Sequence, residues 1–146
     1  MLAFVFGTGL LLAAQAGGDG ATAERLRTAG ANSIVVEACA IVGYKADTAA
    51  LDAYAGQQFR QAYADGMPIA TAQTHMDAGM QSRGGALKAE LAKSTDVAHH
   101  KLIADLVTDC AALASRADTR ALFESTPADD AAARAAGYKR LGMDVP

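Results

Sequence analysis

The sequence predicts an all-α protein, a single-domain helical bundle of about five helices that one disulfide holds together after a signal peptide. Alanine supplies 36 of the 146 residues, and alanine is the strongest helix former. Apolar residues recur at helical spacing along most of the chain. The two cysteines, Cys39 and Cys110, lie in no C-x-x-C motif. The length is that of one ordinary domain.

The first 16 residues predict a secretory signal peptide. They carry no charged side chain and are apolar as far as Ala14, but they are shorter than the roughly 20 residues that span a bilayer. Ala14-Gln15-Ala16 is a small-x-small pattern, so we expect cleavage after Ala16, a flexible N-terminus at 17–21 and a helical domain at 22–146. No basic residue precedes the apolar stretch, which leaves a buried or membrane-docked helix as the alternative. We therefore expect a periplasmic or secreted protein without a membrane anchor after cleavage.

The two cysteines predict one structural disulfide, because an even pair in an exported protein most simply forms a bridge. Two free buried thiols are the alternative. Helical spacing places Cys110 at the centre of an apolar helix face and Cys39 on a side rich in valine. The bridge is therefore expected to join two helices through the core.

Capping residues and glycines predict where the helices begin and end. The first helix is expected from about Thr22 to Val42, with a bend favoured at Gly30-Ala31-Asn32, and the second from Asp47 or Thr48 to Gly66. The third starts near Pro68 with a kink at Arg83-Gly84-Gly85, or divides there into two. The fourth is capped by Ser94-Thr95-Asp96 and runs to about Arg116, and the last has Thr126 as its cap and Pro127 in its first position.

Charge and motifs exclude several classes of function. The net charge is −3, with acids and bases mixed along the chain. The absence of a basic stripe argues against nucleic acid as a partner. The sequence also has no cationic amphipathic segment, which argues against binding to an anionic membrane surface. The sequence contains no G-x-S-x-G, no H-E-x-x-H and no phosphate-binding glycine loop. These absences predict a protein that is not an enzyme and needs no cofactor.

A weak candidate for a copper site is the cluster His75, Met76 and Met80. Thioethers and imidazole suit Cu(I), but on one straight helix His75 projects about 140° away from Met80. Because one helix cannot bring all three side chains to one ion, the sequence predicts no metal site. The two methionines are expected in the core, with the histidine exposed.

The most apolar segment, Ile34–Val42, carries a single charge, Glu37. Glu37 shares a helix face with Ile34 and Ile41, and we interpret this face as a contact with another protein or a second copy of the chain. A buried Glu37 would instead be the best candidate for a catalytic acid. The sequence thus favours a non-enzymatic protein-binding or assembly component. The alternatives are a small-ligand or metal (copper) carrier and an acid- or stress-responsive periplasmic chaperone.

Overall fold

The structure is a computed structural model that describes residues 9–145, with side-chain environments from Gly18 onwards. The prediction of an all-α bundle with one disulfide is confirmed. In chain order the elements are α1 (Gly9–Ala38), a first 3-10 turn (Cys39–Val42), β1 (Lys45–Ala46), α2 (Thr48–Ala64), α3 (Ile69–Leu91), α4 (Asp96–Ser115), a second 3-10 turn (Arg120–Leu122), β2 (Phe123–Ser125) and α5 (Asp130–Arg140).

Helix α1 begins inside the segment that the sequence predicts to be a signal peptide. The first eight residues of that segment lie outside the described residues, so the signal peptide stays a prediction. Residues 17–21, which are expected to form a flexible N-terminus, continue the helix. Once a helix has formed on both sides of a short glycine-rich stretch, each further residue adds a hydrogen bond, which favours continuation. Along residues 9–145, no helix combines the length and the apolar character needed to cross a bilayer.

The glycine at position 30 does not interrupt the helix, and α1 runs unbroken to Ala38. The last turn then tightens into the first 3-10 turn, which ends at Gly43 in the left-handed conformation with φ of 86°. Only glycine adopts this conformation without strain. The predicted end of the helix at Gly43 is therefore correct, although the last four residues are 3-10 rather than α.

Helices α2 and α3 form an antiparallel pair around the turn at Gly66. Asp47 caps α2 by accepting a hydrogen bond from the backbone N–H of Ala50 at 2.9 Å. The alternative of two shorter helices divided at Gly84 and Gly85 is wrong, because α3 is continuous to Leu91. Each of these glycines costs about 1 kcal/mol of helix propensity. Burial of other α3 residues on both sides of them holds the helix together across this stretch.

Helices α1 and α3 run side by side in the same direction. Arg27 lies beside His75, 48 positions along the chain, and Val35 lines the same groove as Arg83, at the same separation. Since both pairs keep one offset, the two helices are parallel. The connection through α2 makes this possible, because α2 returns the chain to the starting end of the bundle.

The core has a main part and a smaller part. Helix α4 supplies the centre of the main part, with the cysteine-bearing apolar face expected from the sequence and a cap at Thr95. Its buried residues are Leu102, Ile103, Leu106, Val107, Cys110 and Leu113. The smaller part lies between the middle of α1, the first half of α3 and the end of α2 with the turn that follows it. It consists of Ala23, Leu26, Ala29, Ala62, Met67, Ala72 and Met76.

The start of α5 differs from the prediction. The cap is Asp129, whose carboxylate accepts from the N–H of Ala132 at 2.8 Å, and not Thr126. The reason is a two-stranded antiparallel sheet, in which β2 pairs with β1 and keeps the preceding chain extended. The ion pair between Lys45 and Glu124 joins the same two strands. Helix α5 then packs on α4, where His100 Nδ1 lies 3.1 Å from the Tyr138 hydroxyl.

Candidate functional sites

The disulfide joins the start of the first 3-10 turn to the C-terminal half of α4. Cys39 and Cys110 are bonded, their Cα atoms are 5.8 Å apart, and both residues are fully buried. The predicted bridge between two helices through the core is thus confirmed. A structural disulfide of this kind fits a protein that folds in an oxidising compartment.

The predicted partner face of α1 is narrower than the sequence indicates. Ile34 and Ile41 are partly buried and pack against the main part of the core, while Glu37 is exposed. Most of the apolar side chains of this segment are therefore packed inside the molecule. The interpretation of Glu37 as a catalytic acid requires that its carboxylate is buried. Glu37 is exposed, so this requirement is not met.

Ile41, from the predicted partner face, lines a shallow pocket of about 330 Å³ between the first 3-10 turn and α5, which we call the dent. Its apolar lining comes from Ala40, Ile41 and Ala136, and Lys139 and Arg140 stand on its rim. Both cations belong to the last turn of α5. Neither forms an ion pair with another residue between 18 and 145. The dent thus combines a small apolar floor with a positive rim.

The backbone around this dent is held from three sides. Cys39 anchors the start of the 3-10 turn through the disulfide, and the N–H of Tyr44 donates to the Cys39 carbonyl at 3.1 Å. Gly43 approaches α5 so closely that an added methyl group would lie 3.1 Å from the Ala136 Cβ. A surface that is rigid before binding loses less conformational entropy when a partner docks.

The weak copper candidates take up different environments. Met76 is buried in the smaller part of the core, and Met80 is partly buried against it. The His75 ring instead lies beside α1, with Nδ1 3.4 Å from Nη2 of Arg27. Within the described part of the chain, no three histidine, cysteine or acidic side chains come together in a way that suits a metal ion.

A second groove, of about 330 Å³, separates α3 from α4. Its floor is apolar, and its walls carry the Arg83–Asp109 pair, with N and O 2.5 Å apart, and the Lys101–Asp105 pair. Each of these four charges is neutralised by its neighbour. Glu90, the fifth charged residue of the lining, pairs with Lys93. The groove therefore offers no charge that lacks a partner among the described residues, and we do not assign it a role.

Two features of the functional surface are not anticipated from the sequence. Lys139 and Arg140 are visible as a basic pair at the end of a helix, but only the fold brings them to Ile41. Asn32 is followed by Ser33 in α1, and only the packing of α2 and α4 around this part of the helix creates a groove there. No protein-family model matches this chain, and neither the curated proteins nor the solved structures contain a match to it.

Proposed function

We propose that this chain is an exported, non-enzymatic protein-binding component whose contact surface is the dent around Ile41. The observation that supports the proposal is the combination, at one rigid place, of a half-buried Ile41 and the cations Lys139 and Arg140, which pair with no residue between 18 and 145. The partner segment that fits carries an apolar side chain next to a carboxylate, from Asp, Glu or a chain end.

The apolar floor and the positive rim contribute differently to the free energy of binding. Burying one aliphatic side chain of the partner contributes about 1.5–3 kcal/mol. The guanidinium of Arg140 is suited to a two-point contact with a carboxylate, whereas Lys139 acts as a point charge. Rim charges mainly raise the association rate and select the partner. Binding is thus expected to weaken as the salt concentration rises.

Export is the second element of the proposal. Its support is the disulfide, which is typical of oxidising compartments, together with the uncharged apolar stretch that ends at Ala16. The mass of the mature protein purified from its own cells measures it directly. Loss of residues 1–16 is the expected result, and a protein that retains Met1 in the cytoplasm contradicts export.

Photocrosslinking in the source cells tests the binding surface. A photoreactive amino acid at Ile41 is expected to give one discrete adduct with another protein. The double variant Lys139→Glu/Arg140→Glu is expected to abolish the adduct, because the rim then repels the carboxylate of the partner.

The matched controls use other exposed positions. The photoreactive group at Ala89, which is exposed on α3, is expected to give no adduct, and Arg120→Glu, which reverses an exposed cation outside the dent, is expected to leave the Ile41 adduct intact. The proposal is wrong if position 41 gives no adduct, if position 89 gives the same adduct, or if reversal of the rim charges has no effect.

A further inference from the structure

A short segment beside the dent has the chemistry that the dent requires of a partner. The 142–145 segment follows the end of α5 and contains Asp144, which is exposed, and Val145, which is 62% exposed. Asp144 forms no ion pair with another residue between 18 and 145. The segment therefore offers an apolar side chain next to a carboxylate that has no partner in that range.

The segment does not fill the dent of its own chain. Gly142 adopts the left-handed conformation with φ of 69°, which ends α5 and turns the chain. The N–H of Met143 donates to the Tyr138 carbonyl at 2.9 Å, and the Met143 side chain packs against the main part of the core. These contacts fix the start of the segment and leave Val145 in solvent.

The surface around the dent carries charges of both signs. Glu37, one helical turn before Ile41, is exposed, and like Asp144 it forms no ion pair with another residue between 18 and 145. These two anions balance the two cations of the rim, Lys139 and Arg140. A two-fold contact brings the same surface of two copies face to face, so a surface of one sign would repel itself. A surface with both signs is instead complementary to itself.

We propose that a second copy of this chain occupies the dent, with Asp144 and Val145 of each copy against the Ile41 floor and the cationic rim of the other. This inference rests on the proposed function, because it uses the same contact surface. An extended chain advances at most about 3.6 Å per residue, so Val145 lies within about 18 Å of Arg140. This short reach lets both contacts form around one two-fold axis, which closes the dimer.

The dimer regulates the proposed contact, because a dent that holds a second copy is closed to another partner. Each of the two contacts is small, and small interfaces are typical of weak, transient complexes. The free protein is therefore expected to dimerise only at high concentration. A partner that carries a similar segment is expected to displace the second copy.

Sedimentation of the protein purified from its own cells tests the dimer at concentrations between about 10 μM and 1 mM. The parent protein is expected to associate reversibly in this range. Asp144→Lys and Lys139→Glu/Arg140→Glu are each expected to raise the dissociation constant at least about tenfold, because each places like charges opposite one another. An equal mixture of the two variants is expected to dimerise again. In the mixed dimer the new lysine meets the new glutamates, and the other contact keeps the parental charges.

Asp96→Lys is the matched control. Asp96 is also exposed and also precedes an exposed valine, but its helix α4 contacts α5 through Tyr138, which projects about 160° around α5 from Ala136 of the dent. This variant is expected to dimerise like the parent protein. The inference is overturned if the parent protein stays monomeric throughout, if the mixture associates no more tightly than either variant alone, or if Asp96→Lys acts like Asp144→Lys.

The photocrosslink at Ile41 in the source cells separates this inference from the proposed function. A monomeric protein that still gives an adduct with another protein contradicts the dimer alone. A dimeric protein whose adduct contains only a second copy of the chain supports the dimer and contradicts a separate partner.

Discussion

Gly30 of α1 and Gly79 of α3 each lie against the backbone of the other helix. A methyl group added to Gly30 would come within 3.0 Å of the Met76 carbonyl carbon, and one added to Gly79 would lie 2.7 Å from that of Arg27. Each glycine thus faces the carbonyl of the residue three positions before the other glycine. This reciprocal arrangement lets the two parallel helices approach to backbone contact, which no residue with a Cβ allows.

Gly79→Ala is therefore expected to destabilise the protein, because overpacking costs about 1–3 kcal/mol and a clash with backbone atoms lies at the upper end of that range. The roughly 1 kcal/mol that alanine gains over glycine in helix propensity offsets only part of this cost. Urea unfolding followed by circular dichroism measures the difference. Gly84→Ala is the matched control on the same helix, where an added methyl group meets no atom within 4 Å, and it is expected to stabilise the protein. If both variants are stabilised, the close approach of α1 and α3 is wrong.

Removal of the disulfide with the double variant Cys39→Ala/Cys110→Ala is expected to lower the free energy of unfolding by about 2–5 kcal/mol. Because both sulfur atoms are fully buried, a reductant reaches them only when the core opens. Alkylation of released thiols in the presence of a reductant should be slow in native buffer and fast in urea. Fast reduction of the native protein contradicts the buried position of the bridge.

Thr119 is a buried polar residue between α4 and β2, and its hydroxyl donates to the Leu113 carbonyl at 2.6 Å. Thr119→Val keeps the shape of the side chain but leaves this carbonyl without the hydroxyl donor. We expect a loss of about 1–3 kcal/mol in the free energy of unfolding. The exposed Thr108 makes a similar bond to Ala104 within α4, and Thr108→Val should change the stability by less than half as much. Equal effects would contradict a special role for Thr119.

The hydrogen bonds from Arg116 hold the pKa of the Asp118 carboxyl below its ordinary value. A lowered pKa in the folded state means that the ionised form is favoured, so the contribution of the pair is present at neutral pH and is lost as the pH falls through the lowered pKa. NMR titration of the carboxyl carbon should show this shift, and Arg116→Gln should return the pKa to the ordinary range. Arg120→Gln is the control and should leave it lowered. Because the pair is exposed, added salt should also raise the pKa.

The sequence predicts those features of the fold that depend only on residues close together in the chain, such as helix caps and helix faces. Asp47 and Thr95 cap their helices as their side chains suggest, because a cap needs only an oxygen and a free N–H two or three residues away. Cys110 lies at the centre of a buried face because the helical period alone determines which residues share a face. These features require no knowledge of the rest of the chain.

Features that arise from distant contacts are not predictable in this way. Thr126 and Pro127 form a good local start for a helix, but pairing of the preceding strand with β1, far away in the sequence, delays the helix to Asp130. The same limit applies to Gly30, which indicates a bend by its type alone, while only the fold shows that it packs against α3.

The candidate surface also has one part that the sequence predicts and one part that it does not. Ile41 follows from the apolar pattern of its segment, whereas its cationic neighbours Lys139 and Arg140 belong to the other end of the chain. Hydrophobic periodicity shows which residues of one helix share a side, but it does not show which two helices meet. The residues of one helix can thus be proposed from the sequence, while the composition of the site requires the fold.

The bond between Cys39 and Cys110 also closes the chain into a covalent ring that contains β1, α2, α3 and most of α4. All of α1 and all of α5 lie outside this ring, as tails attached to it. A single proteolytic cut in the turn between α3 and α4 would leave both fragments linked, so its products would migrate as one species until the bridge is reduced. A cut before α5 would release the segment that carries Lys139 and Arg140, and with it the positive rim. The ring thus protects the integrity of the bundle but not that of the proposed contact surface.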